Sequence, residues 1–93
     1  MFDIDDLIGK VVTVRGLSGE EIIGKLMGTH PDTTIITLGE PRVVVINNNE
    51  VSLLPYVLTA SAELIDFNIN TVVSIIETFE NTAKEYLEVI SEE

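Results

Sequence analysis

The stretch KVVTVRGLSGEEIIGKLMGTHPDTTIITL, Lys10 to Leu38, decides the fold. It reads as a strand over Lys10–Leu17, a tight turn at Ser18-Gly19, a second strand over Glu21–Thr29, a short loop and a third strand over Thr34–Leu38. β-Branched residues fill the first strand, and Gly19 is free to take the positive φ that a hairpin turn requires. In the second strand Ile22, Gly24, Leu26 and Gly28 fall on one face, because side chains of an extended chain alternate with period two. Two glycines on one face weaken an isolated ribbon. They suit a strand that bends sharply while another backbone comes close, as at the corner of a small barrel. Ile23 and Met27 lie on the opposite face with Glu21, Lys25 and Thr29, so that face is expected to be covered as well.

On the N-terminal side, Phe2–Ile8 reads as a short helical turn ended by Gly9, with Asp3 as N-cap, Phe2 as a staple residue, and Leu7 and Ile8 facing inward. Asp3, Asp5 and Asp6 suit a helix N-terminus; a hard cation needs more oxygens in a shaped loop, so no metal is expected. On the C-terminal side, Pro31 keeps the segment from Thr29 to Thr33 a loop, and Gly39-Glu40-Pro41 marks the next turn. Arg42–Ile46 is a fourth strand and Val51–Leu54 a short fifth one. Asn47-Asn48-Asn49 between them tolerates left-handed geometry, and Pro55 places the fifth strand at an edge or bulge. Val43-Val44-Val45-Ile46 is apolar without alternation. Such a run is buried on both faces or pairs with another chain. It predicts a closed homo-oligomeric ring of five to seven subunits, since a head-to-tail strand contact closes by rotation. Val43, Val44, Val45, Ile46, Val51 and Leu53 are its candidate interface.

From about Ser61 the pattern changes. Val72, Ile76, Phe79, Ala83, Tyr86 and Ile90 alternate spacings of four and three, one stripe of a helix of about 20 residues. Asn70 or Thr71 can cap it, and Glu80 and Lys84 stand at the favourable i,i+4 order. Glu88, Glu92 and Glu93 oppose the dipole, so packing of the stripe must hold it. The expected division is a barrel over residues 1–60 and an acidic C-terminal helical extension over 61–93, packed on the barrel or on the ring. Residues 62–67 read as a connector.

Ninety-three residues make one domain, and 45% apolar content argues against disorder. Cysteine is absent, which excludes disulfides and thiolate metal sites. No apolar run reaches the length of a membrane span, and Met-Phe-Asp-Ile-Asp-Asp lacks the basic and apolar regions of a signal peptide. A cytoplasmic protein with no membrane partner is expected. Sixteen acids face five bases, a net charge of −11. Residues 1–60 carry eight acids against four bases (−4), and residues 61–93 eight against one (−7). Such a charge keeps a protein soluble and repels phosphate at long range, which disfavours broad nucleic-acid affinity and leaves room for a narrow local site. One histidine and no compact acid–base or metal-ligand spacing give no nucleophile triad and no metal centre. The glycines lie within a strand and do not open a helix, so there is no phosphate loop. The expectation is a non-enzyme without a cofactor.

The hairpin Ser18-Gly19-Glu20-Glu21-Ile22-Ile23-Gly24-Lys25-Leu26-Met27-Gly28 resembles the first motif of the Sm and Sm-like proteins, and residues 42–54 look like the second. The resemblance covers about Phe2 to Leu54. It implies a mostly β fold: a small, strongly bent five-stranded open barrel of the SH3-like kind with a short N-terminal helix, here followed by the long C-terminal α-helix. It implies subunits joined fourth strand to fifth strand into rings, usually of six or seven, many of which bind single-stranded RNA. The family's third loop offers an Asp, a base-stacking aromatic or His, then Met-Asn; those places fall on His30, Asp32, Thr33 and Thr34. The second motif, Ile-Arg-Gly-Asn, falls on Val45, Ile46, Asn47 and Asn48. The Arg is missing and the Asn kept. The candidate RNA-binding residues are therefore His30, Asp32, Thr34, Asn47 and Asn48. His30 reads either as a stacking residue or as an exposed loop histidine, and the Asn run either as base-edge amides or as turn chemistry.

Two functions follow. One is an RNA-binding ring with a degenerate nucleotide site, in RNA processing or as an RNA chaperone. The other is a structural or protein-interaction ring that has lost RNA binding and uses the acidic helix as its contact surface for a protein partner.

Overall fold

The computed structural model describes residues 4–30, 35–56 and 63–91. A 3-10 turn over Ile4–Leu7 is followed by β1 (Val11–Gly16), β2 (Glu21–His30), β3 (Ile35–Asn47), β4 (Glu50–Pro55), β5 (Leu64–Asn68), a second 3-10 turn over Ile69–Thr71, β6 (Val72–Glu77) and α1 (Glu80–Ser91). The strands form one antiparallel sheet in the order β4-β3-β2-β1-β6, with β5 also paired to β3. It is the expected bent, mostly β fold, with a short N-terminal turn and one C-terminal helix among the described residues.

The β1–β2 hairpin is as read. Val12 pairs with Gly24 and Arg15 with Glu21, and Gly19 has φ 88° in the turn. Alternation places Val12, Val14, Ile22 and Leu26 in a core with Leu7, Ile36, Leu38 and Phe67, flanked by Ile65, Val72 and Ile75. Each fully buried side chain of this size contributes roughly 1.5–3 kcal/mol. The N-terminal turn is tied over β2: Gly9 N donates to Leu26 O (2.7 Å), and Leu26 N to Lys10 O (3.0 Å). Leu7 faces the core, but Ile8 is exposed, against expectation. Phe2 and Asp3 lie outside the described residues.

The two glycines of β2 differ. At Gly24 a Cβ would lie 3.3 Å from both Gly39 O and Leu38 Cβ, the close approach that the spacing implied. At Gly28 it would meet nothing within 4 Å. The ladder explains this. Leu26 pairs with Leu38, but Gly28 pairs with Thr37, with a register shift between them. Paired residues share a face and sequence neighbours do not, so Gly28 leaves the core face at this irregularity, where the strand bends.

The expected third and fourth strands are one strand. β3 runs 13 residues from Ile35 to Asn47. Gly39-Glu40-Pro41 is a kink inside it, not a turn, with Glu40 at φ 44°. Continuity follows from pairing on both sides: Lys25 with Gly39 and Ile23 with Arg42 across β2, Gly39 with Leu64 and Arg42 with Pro55 across the other side. Val43 accordingly sits between Ile22 and Leu54 and is not an open edge. Val44, Val45 and Ile46 pair with Leu53, Ser52 and Val51 of β4. Among the described residues the outer sides of β4, β5 and β6 carry no further strand.

The largest departure is at the C-terminal end. Residues 72–77, expected in the first turns of a long helix, form β6 and pair with β1, Val14 with Ile75 and Val12 with Glu77. Helical and strand readings share the apolar positions here. Val72, Val73, Ile75 and Ile76 are β-branched, and β1 offers an open ladder, so the strand wins. α1 is 12 residues long. Beyond residue 60 the chain adds β5 and β6 to the sheet before the helix. The helix does lie over the barrel. Tyr86 is completely buried, its hydroxyl 2.9 Å from both Gly39 O and Glu40 O at the kink. Ile23 beneath is 2% exposed, whereas Met27 stays half exposed.

Candidate nucleic-acid interface

The first residues of β3 organise one end of the sheet. His30, the last residue of β2, pairs with Ile35, and Ile35 pairs with Asn68, the last residue of β5. The 3-10 turn Ile69–Thr71 then leads into β6. The end of β2 at His30 and the end of β5 at Asn68, which opens the turn of residues 69–71, are therefore brought to the same end of β3. Asp32 and Thr34 lie outside the described residues.

Local chemistry fixes the turn. Asn68 is extended (φ −74°, ψ 122°), and its side-chain oxygen accepts from Asn70 N at 2.9 Å, the usual work of an N-cap. Thr71 Oγ1 donates to Asn68 O at 2.7 Å, and Leu17 N to Thr71 O at 3.0 Å. Asn70 itself is exposed. Beside the turn, Thr37 Oγ1 donates to Asp66 Oδ1 at 2.7 Å and stands 3.5 Å from His30 Nε2.

Asn47 and Asn48 are elsewhere. They form the β3–β4 turn, at the other end of β3 from Ile35, with Asn48 at φ 51° and Asn49 at φ 67°. The structure does not bring them to His30, and it is Asn48 and Asn49 that hold the left-handed backbone of the two-residue turn. The turn before the strand that returns to β1 is the one at Phe67–Asn70. The sequence carried a signal for it: two asparagines followed by the β-branched run Val72-Val73 and Ile75-Ile76.

The chain's cations are few, five in all. Lys10 pairs with Glu77 and Lys84 with Glu80, each at 3.6 Å. Arg42 is buried, and Arg15 lies across from Glu21. Among the described residues this end offers an imidazole, exposed amides, and hydroxyls beside the Asp66 carboxylate. That set can hydrogen-bond and stack a base but cannot neutralise phosphate.

No family model matches the chain, and no curated protein matches it. Solved structures do. A heptameric archaeal Sm protein, studied for its implications for the eukaryotic snRNP core, is 20% identical, with TM-score 0.57 over 82% of this chain and 96% of that one. The P. aerophilum SmAP1 heptamer is 20% identical, with TM-score 0.58 over 82% and 88%. An Sm-like protein, AF-Sm2 from Archaeoglobus fulgidus, is 21% identical, with TM-score 0.56 over 81% and 88%. With its hairpin, its kinked third strand and a last strand returning to β1, the chain has the Sm-like fold.

Proposed function

We propose that this chain forms a closed homo-oligomeric ring of five to seven subunits and presents the His30–Asn70 end to single-stranded RNA, as a binding module in RNA processing or chaperoning. The observation that carries the reading is that β3 brings His30, at the end of β2, and the Asn68-Ile69-Asn70 turn to the same end of the sheet. Ring formation is supported by the likeness to two heptamers and by the outer sides of β4, β5 and β6, whose backbone groups find partners when strand edges of neighbouring copies meet. Stacking and amide contacts supply the affinity, at roughly 1–3 kcal/mol per stacked base. With no cation at Asn68 and a net charge of −11, counterion release adds little. Binding is therefore weak and its salt dependence shallow.

The test has two arms. Light scattering reads the assembly, and a stable monomer at micromolar concentration overturns the ring. Labelled oligo-uridine and oligo-adenosine are titrated at low salt against the wild type, His30→Ala and Asn70→Ala. Saturable binding lost in either variant supports the RNA site. The replaced Arg favours a second reading, a structural ring whose acidic helix contacts a protein partner. Absence of binding to both oligonucleotides at high protein concentration selects it.

A further inference from the structure

Three side chains on three adjacent strands touch in line at the same end of the sheet. His30 ends β2, Thr37 is in β3, and Asp66 is directly across from Thr37 in β5. His30 reaches Thr37 diagonally, since its own cross-strand partner is Ile35. Gly28, across from Thr37 on β2, puts no side chain between them. The donor order can be read from chemistry. A carboxylate only accepts, so the single hydroxyl proton of Thr37 goes to Asp66 Oδ1, 2.7 Å away. A lone pair of the same oxygen then faces the imidazole at 3.5 Å, and Nε2 is the atom that must donate.

We infer that Thr37 and Asp66 are positioning residues for His30: the chain Nε2–H···Oγ1–H···Oδ1 assigns the ring its proton and holds its plane at the end of the sheet. The purpose of the arrangement rests on the RNA reading; its geometry does not. A ring held in advance loses no rotamer freedom when a base stacks on it. Nε2, committed to Thr37, accepts nothing from a base, and a ring held in this way offers its face for stacking.

The chain's single histidine makes the test direct. The assembled protein is labelled in the histidine ring. Carbon relaxation then gives the order of the imidazole, and nitrogen shifts give its tautomer, in wild type, Thr37→Val and Asp66→Asn without RNA. Thr37→Val should loosen the ring while the backbone amides of His30 and Ile35 keep their shifts. Asp66→Asn lets an amide N–H donate to Thr37, whose hydroxyl can then turn toward the ring, so the Nδ1–H tautomer should gain population. Oligonucleotide affinity should fall roughly 2- to 10-fold in Thr37→Val, the cost of immobilising one side chain at binding. Order and tautomer unchanged in both variants overturn the inference. Should Thr37→Val not fold, the tautomer in Asp66→Asn decides alone. A ring that loosens in a protein binding no oligonucleotide supports the positioning chain and defeats the RNA reading.

Discussion

At the β3–β4 end of the sheet, asparagines serve backbone geometry: Asn48 and Asn49 hold φ of 51° and 67° and let a two-residue turn close. At the β5–β6 end, Asn68 is extended, its side chain caps the next turn, and Asn70 stands exposed beside an oriented histidine. The surroundings differ in the same sense. Around the first turn the ribbon is apolar and open, with Ile46 72% and Val51 56% exposed. Around the second, Thr37, Asp66 and His30 are hydrogen-bonded to one another. One residue type thus has two jobs, and only the strand partners on either side tell which.

The kink at Gly39-Glu40-Pro41 separates the two ends, and breaking it should have the largest effect. Tyr86→Ala removes a fully buried ring and the donor to both kink carbonyls; a loss of about 4 kcal/mol is expected in denaturant unfolding. Tyr86→Phe, which only orphans those carbonyls, should cost about 1–2 kcal/mol. Gly24→Val drives a branched side chain against Gly39 O and Leu38 and should cost about 3 kcal/mol, whereas Gly28→Ala, facing open space, should stay within about 0.5 kcal/mol. Near wild-type stability for Gly24→Val would argue against the crowded bend. Asn49→Ala puts a side chain with no local hydrogen bond in the left-handed region, at about 1 kcal/mol, and should leave oligonucleotide binding untouched. Asn70→Ala should do the reverse, with stability unchanged within about 0.5 kcal/mol and binding weakened. If the two asparagine variants behave alike, the division of labour between the ends fails.

The sequence made the hairpin legible because its signals are local. Gly19 in the turn, the β-branched alternation of β1 and the tight packing at Gly24 all lie within about 15 residues of one another. The pattern of β2 also implied a covered face at Ile23 and Met27, and Ile23 is 2% exposed while Met27 is half exposed. Two features depended on distant partners. Val72–Ile76 fits a helix stripe as well as a strand, and only β1, about 60 residues earlier, decides. The kink in β3 looks like a turn because Gly39-Glu40-Pro41 is written in turn residues; what makes it a strand is pairing with Lys25 and Leu64. Misreading the kink advanced every later strand by one place. With the strands so counted, the second motif falls at Val45–Asn48, in the β3–β4 turn and not in the turn before β6. The position of His30 does not depend on the kink, because it lies upstream of it.

The pairing of β1 with β6 also governs how the molecule is made. β1 ends at Gly16, and its outer partner is complete only at Glu77. At synthesis rates of about 5–20 residues per second, roughly 3–12 seconds separate the two. During that interval a nascent hairpin carries Val12 and Val14 beside an unoccupied ladder, the kind of edge that recruits other chains. The closing contact is also among the most distant in the chain, which slows its formation once the residues exist. A ribosome-associated holdase, or slow crowding-sensitive expression of variants that weaken β6, is where this topology would make itself felt in a cell.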